Sequence, residues 1–121
     1  MKIAITKSAL EEAKEKYGNF QAVSGYVEED KKFFLPLPKY YIVVVDRNNL
    51  TLSQLDIKLD EKSVEVISLK NIKSIKVTGR NIRRVSIITK NKTIKLIIKP
   101  RVIGIKEYQR KLISKLESLS K

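Results

Sequence analysis

Residues 83–99, RRVSIITKNKTIKLIIK, alternate apolar and polar side chains on both sides of Asn91-Lys92. Strict alternation puts successive side chains on opposite faces of a strand, so the stretch reads as two strands, 83–90 and 93–99, joined by a tight turn. The same stretch holds six Lys and Arg and no Asp or Glu. It therefore raises a structural question and a functional one together.

Working back along the chain, further strands are legible, from a period of two and, in YYIVVVD, from a run of β-branched and aromatic residues. FQAVSGYVEE reads as a strand over 20–28, YYIVVVD over 40–46, LTLSQLD over 50–56, VEVISL over 64–69 and IKSIKVT over 72–78. Arg47, Asn48 and Asn49 make a turn in which Asn accepts positive φ, DEKS makes a second loop, and Gly79 suits a hairpin turn. Pro36 and Pro38 interrupt EDKKFFLPLPK, because proline has no N–H to give a central ladder.

Helices flank the strands. Ser8 and Glu11 have the spacing of a capping box, so a helix is expected over 8–17, with Gly18 as a left-handed stop. Ala9, Leu10, Ala13 and Tyr17 share its apolar face. Ile105, Tyr108, Leu112, Leu116 and Leu119 recur every three or four residues, predicting a helix over 103–119. Lys106, Arg110, Lys111 and Lys115 lie on or near its opposite face. One short helix, seven antiparallel strands and one amphipathic helix predict a mostly β, α+β fold. A meander curls into a partly open barrel, and the last helix plugs its mouth. No repeat or linker composition divides the 121 residues, so one domain is expected.

The net charge of +13 is uneven: residues 1–60 carry nine basic and nine acidic side chains, and residues 61–121 carry seventeen and four. Such asymmetry favours an anionic partner. Lys outnumbers Arg 20 to 6, however, and a compositional bias toward Lys and Ile would produce the same excess without a partner. Alternation predicts that Lys76, Arg84, Lys90, Lys95 and Lys99 share one outer face, with Arg80 and Arg83 by its turn. That face reads as a phosphate-contacting surface for an anionic membrane or nucleic acid, as a protein or oligomer interface using Ile88 and Ile97, or as a solvated face whose Lys residues oppose aggregation. A second candidate is the loop Lys31, Lys32, Phe33, Phe34, Leu35 and Leu37. It could meet a bilayer or a partner groove, or fold back against the first helix near Tyr17.

Catalysis is poorly supplied. The chain has no His and no Cys, which removes the common nucleophile–base pairs and zinc sets. Glu28, Glu29 and Asp30 read as a charged strand end rather than a metal site, and no phosphate-loop or dinucleotide motif is present. No catalytic residue and no cofactor is expected. Asp46 and Asp56 are turn residues first. The longest apolar run, Tyr40–Val45, is far too short to span a bilayer, and no secretory signal is visible. A cytoplasmic protein, at most peripheral to a membrane, is expected.

YYIVVVDRNNLTLS (40–53) and VEVISLKNIKSIKV (64–77) resemble the bacterial pleckstrin-homology-like proteins, including the YokE-like group. Members of that group show Y-x-V-x-T-D-x-R-L in a long hairpin and I-S-L-x-x-I-x-S-I after it. ISLKNIKSI (67–75) fits the second pattern; in the first, Arg47 directly follows Asp46, and Asn48-Asn49 replace Arg-Leu. The resemblance spans residues 8–119. It implies seven strands in two near-orthogonal sheets under a C-terminal helix, and a binding or scaffold module, with self-assembly in some members. The phosphoinositide pattern K-x-n-[KR]-x-R does not carry over, because the first hairpin offers only Lys31, Lys32 and Lys39.

Overall fold

A computed structural model of the chain describes residues 5–19, 21–31 and 38–120. Helix α1 (Lys7–Tyr17) precedes strands β1 (Val23–Glu29), β2 (Tyr40–Val45), β3 (Asn49–Leu55), β4 (Glu61–Ser68), β5 (Ile72–Thr78), β6 (Arg83–Thr89) and β7 (Thr93–Ile98). Helix α2 (Lys106–Leu119) closes the chain. All strand pairs are antiparallel, in the order β4-β3-β2-β1-β7-β6-β5. β1 follows β2 from Val23↔Val45 to Glu28↔Tyr40, yet meets β7 only at Glu28↔Ile97 and Glu29↔Leu96. Among the described residues β4 and β5 are free edges, so the barrel is partly open.

α2 fills the gap where β1 and β7 splay apart. Gly25 makes room, because a Cβ there would stand 2.6 Å from Leu112 Cδ2. Leu112, Ile113 and Leu116 then pack on Val27, Val43, Leu50, Ile75, Val85, Ile87, Leu96 and Ile98. Gln109 lies beside them, fully buried. Its Oε1 accepts from Tyr26 N–H at 2.7 Å, and its Nε2 donates to the Tyr26 carbonyl at 2.7 Å and the Lys99 carbonyl at 3.0 Å. β1 backbone groups that a neighbouring strand would have paired are paired by a side chain instead.

α1 covers the opposite face of β1 and β2. Ile5, Leu10 and Ala13 form a second core with Ile42, Val44, Leu55 and Ile105. Ser24 Oγ donates to the Leu10 carbonyl at 3.1 Å, and Tyr108 hydroxyl donates to Glu11 at 2.8 Å, which ties the two helices together.

Several local expectations are corrected. The cap of α1 is Thr6, whose Oγ1 accepts from Ala9 N–H at 3.2 Å; Ser8 lies inside the helix and Glu11 turns to Lys14 and Tyr108. Gly18 is extended (φ −102°, ψ 160°) rather than left-handed. Glycine is needed there for closeness, since a Cβ would lie 2.5 Å from Ala22 Cβ and 2.8 Å from the Lys14 carbonyl. The β2–β3 turn uses no positive φ at Asn48 or Asn49. It is held by buried Asp46, whose Oδ1 accepts from both amides at 2.8 Å while Oδ2 takes Asn19 N–H at 3.2 Å. β4 starts at Glu61, three residues before the expected 64. Asp56 closes a tighter turn by accepting from Lys58 and Asp60 amides, and Leu59 takes φ 65°. β1 starts at Val23, after a turn at Gln21 (φ 65°), and α2 starts at Lys106 rather than 103, after the turns at 100–105. Gly79 takes φ 90° in the β5–β6 turn, as expected.

Two outcomes follow from this packing. Gln109→Leu keeps the volume but leaves two Tyr26 groups and the Lys99 carbonyl without their partner. It should cost roughly 2–4 kcal/mol in urea denaturation; a loss below about 1 kcal/mol would mean water replaces the amide. Tyr26 stacks on Tyr40 with ring centroids 6.1 Å apart, and burial first, then the Tyr40 and Glu28 charges, push its phenol up to about 12. The fold therefore favours the neutral phenol. Its contribution is intact below the ordinary value of 10 and is lost as pH rises from there toward 12, because the unfolded chain releases the proton first. Alkaline melts should lose stability across that window, and Tyr26→Phe should flatten the loss. An unchanged slope in the variant would assign the loss to other groups.

Candidate functional site

Alternation over 72–99 is realised in the packing. Ile75, Val85, Ile87, Leu96 and Ile98 are buried. The register Lys76↔Ser86↔Lys95 and Thr78↔Arg84↔Ile97 sets Lys76, Arg84 and Lys95 on one outer face, with Lys90 and Lys99 exposed just past the ends of β6 and β7. The face is not the uninterrupted cationic surface that the sequence suggests. Pairing of β1 with β7 brings the acidic end of β1 alongside it. Arg84 Nη1 lies 3.1 and 3.0 Å from the two oxygens of Asp30, and Lys99 Nζ lies 3.3 Å from Glu28. Lys92, in the β6–β7 turn, pairs with Glu65 of β4. Carboxylates absent from 66–106 in sequence are thus supplied from β1 and β4 in space.

Arg80 and Arg83 do not join that face. They line a cleft of about 680 Å³ between the β5–β6 turn, the β7–α2 connection and the exposed side of α2. Arg101, Lys106 and Arg110 line it too, with Pro100, Ile113, Ser114 and Glu117. Arg83 donates through Nη2 to Glu117 at 2.8 Å and through Nε to the Thr78 carbonyl at 3.3 Å. Arg80, Arg101, Lys106 and Arg110 are exposed, and no ion pair is formed by them among the described residues. The signal for this cleft was present in the composition. Four of the six arginines of the chain sit in it, but Arg80 and Arg83 are separated in sequence from Arg101 and Arg110.

A smaller recess of about 260 Å³ lies between the ends of β1 and β2, the β3–β4 hairpin and the β6–β7 turn. Its charges are mixed: Glu29 and Glu65 face Lys39, Lys92 and Lys95. Of the apolar loop candidate, Lys32, Phe33, Phe34, Leu35 and Leu37 lie outside the described residues; Lys31 is half-buried beside Asp30. Near its end, Lys39 N–H donates to Glu29 at 3.2 Å and its carbonyl accepts from Glu29 N–H at 2.7 Å. Asp46 and Asp56 serve as turn acceptors. Among the described residues no cluster of three or more acidic side chains is arranged to hold a metal ion, and no helix is long and apolar enough to cross a membrane.

Large apolar side chains are exposed at five described positions: Ile57, Val64, Val66, Ile82 and Ile103. Three of them belong to β4 or the turn that feeds it. From Glu61 to Val66 every residue of this edge strand is exposed.

Curled antiparallel sheet, free edges and C-terminal helix match a known architecture. The chain is similar to the solution structure of the N-terminal PH domain of ARAP2 from human, with a TM-score of 0.50 and 18% identity over 81% of this chain and 77% of that one. The fold is that of the pleckstrin-homology domains. No family model matches the sequence, and no curated protein matches it.

Neutralisation of the outer face has a measurable consequence. Glu28→Gln with Asp30→Asn should change stability by about 1 kcal/mol or less, because Arg84 and Lys99 are more than half exposed. The same pair should lengthen retention on a cation exchanger well beyond that of a control losing two carboxylates from α1, Glu12 and Glu15. Equal retention would show that the two ion pairs do not mask the face.

Proposed function

We propose that this protein is a non-enzymatic pleckstrin-homology-like binding module that works by protein–protein contact, with a second copy of the chain adding to β4. The carrying observation is the β4 edge: eight residues long and, among the described residues, unpaired on one side and flanked by most of the exposed large apolar side chains. Soluble proteins usually shorten, cover or break such an edge. Resemblance of 40–53 and 64–77 to the YokE-like group, some of whose members self-assemble, points the same way.

Charge selects one register. A two-fold axis normal to the sheet keeps side chains on their own faces, so residues pair even with even and odd with odd. Centring on Val64 sets Val64 against Val64, Lys62 against Val66 and Ser63 against Glu65. Moving the centre one residue either way sets Glu61 against Glu65, or Glu65 against itself. Because the chain has no Cys, the test is clean. Size exclusion with light scattering should show a dimer that persists at high salt, since apolar contact and strand pairing are weakly screened. Val64→Cys should form an interchain disulfide under mild oxidation much faster than Ile57→Cys. A monomer at high micromolar concentration in both salts, or equal crosslinking at both positions, would overturn the proposal.

A further inference from the structure

We infer that the cleft between α2 and the β5–β6 turn is a binding site for a small soluble molecule carrying at least two phosphate groups. This site is separate from the β4 edge and from the outer basic face. Three observations converge on it.

The first is the type of cation. Lys76, Lys90, Lys95 and Lys99 dominate the outer face, while Arg80, Arg83, Arg101 and Arg110 collect in the cleft. A bias toward Lys explains the former and leaves the latter unexplained. Guanidinium is the planar fork that grips phosphate through two parallel hydrogen bonds, which ammonium cannot do.

The second is charge balance. Five cations face one carboxylate, Glu117, which is already engaged by Arg83. Arg83 is thereby held in place, with its Nε on the Thr78 carbonyl, and the other four are left to a ligand. A single phosphate would leave most of that charge uncompensated; a diphosphate or longer chain would match it.

The third is shape. The cations line a recess of about 680 Å³, within the usual range for small-molecule sites, with Ile113 and Pro100 contributing apolar wall. A bilayer or a duplex reaches groups that protrude, and the lining of a recess favours a discrete anion. Exposed Ile82 and Ile103 stand on the two loops that wall the cleft and supply a control.

The experiment is isothermal titration of the whole chain with orthophosphate, pyrophosphate and tripolyphosphate at about 0.15 M salt. Affinity should rise at least about tenfold from orthophosphate to pyrophosphate. Arg101→Gln with Arg110→Gln should weaken pyrophosphate binding at least about tenfold, while Lys76→Gln with Lys95→Gln, which removes the same charge from the outer face, should leave it unchanged. Arg110→Lys should retain only part of the affinity, because it keeps charge and loses the fork. All these side chains are exposed and form no ion pair among the described residues, and circular dichroism verifies folding. Equal losses in the two double variants would reduce the site to net charge and overturn the inference. So would the absence of pyrophosphate binding, or binding only to phosphatidylglycerol vesicles that Ile82→Asp and Ile103→Asp abolish.

Discussion

The arrangement depends on how α2 is seated on β1. A sheet that pairs fully on one side of β1 and only at Glu28 and Glu29 on the other leaves buried backbone groups open in between. In an apolar interior these groups would oppose folding. Gln109 satisfies those of Tyr26 with both ends of its amide, and Gly25 lets the helix come near enough for it to reach. Once that contact is made, Leu112, Ile113 and Leu116 can close the inner core, and Ile105 and Tyr108 can reach the outer one under α1. A polar side chain in the middle of an apolar stripe is therefore what permits the barrel to open without exposing its backbone.

The same opening organises the surface. Because β1 crosses to β7 only at its acidic end, Glu28 and Asp30 arrive beside Lys99 and Arg84 and dilute the outer face. Because α2 runs across the gap, its polar side faces the β5–β6 turn, and the arginines of three segments converge. Because the sheet does not close, β4 keeps an unpaired edge. The neutralised face and the cationic cleft follow from the splay of β1 from β7, and the free strand follows from a second departure, the lack of pairing between β4 and β5 among the described residues.

Much of the fold was legible locally. Alternation located β5, β6 and β7, since a strand with one buried face must place apolar residues at every second position, whereas β2 was legible as a run of β-branched and aromatic residues because both of its faces are buried. The stripe from Ile105 to Leu119 located α2 for the corresponding helical reason. Element starts were less legible. Thr6 outcompeted the Ser8–Glu11 capping box, and Asp56 closed its turn early enough to begin β4 at Glu61. Short polar side chains can bond to several nearby amides, and the sequence does not rank these choices. The outer positions of Lys76, Arg84 and Lys95 were legible because strand parity alone places them.

What the sequence determined by itself was periodicity: which residues face inward, the order of strands and helices, and a net charge of +13 concentrated in the second half. Tertiary structure decided which charges are neighbours. Asp30 and Arg84 are 54 residues apart, and Arg83 and Glu117 are 34 apart, so no local pattern could pair them. It also decided the role of Gln109, which interrupts the hydrophobic pattern and becomes intelligible only against the open edge of β1. Burial is a property of a residue and its period, which a sequence displays. Electrostatic and hydrogen-bond partnership is a property of distance, which only the folded chain defines.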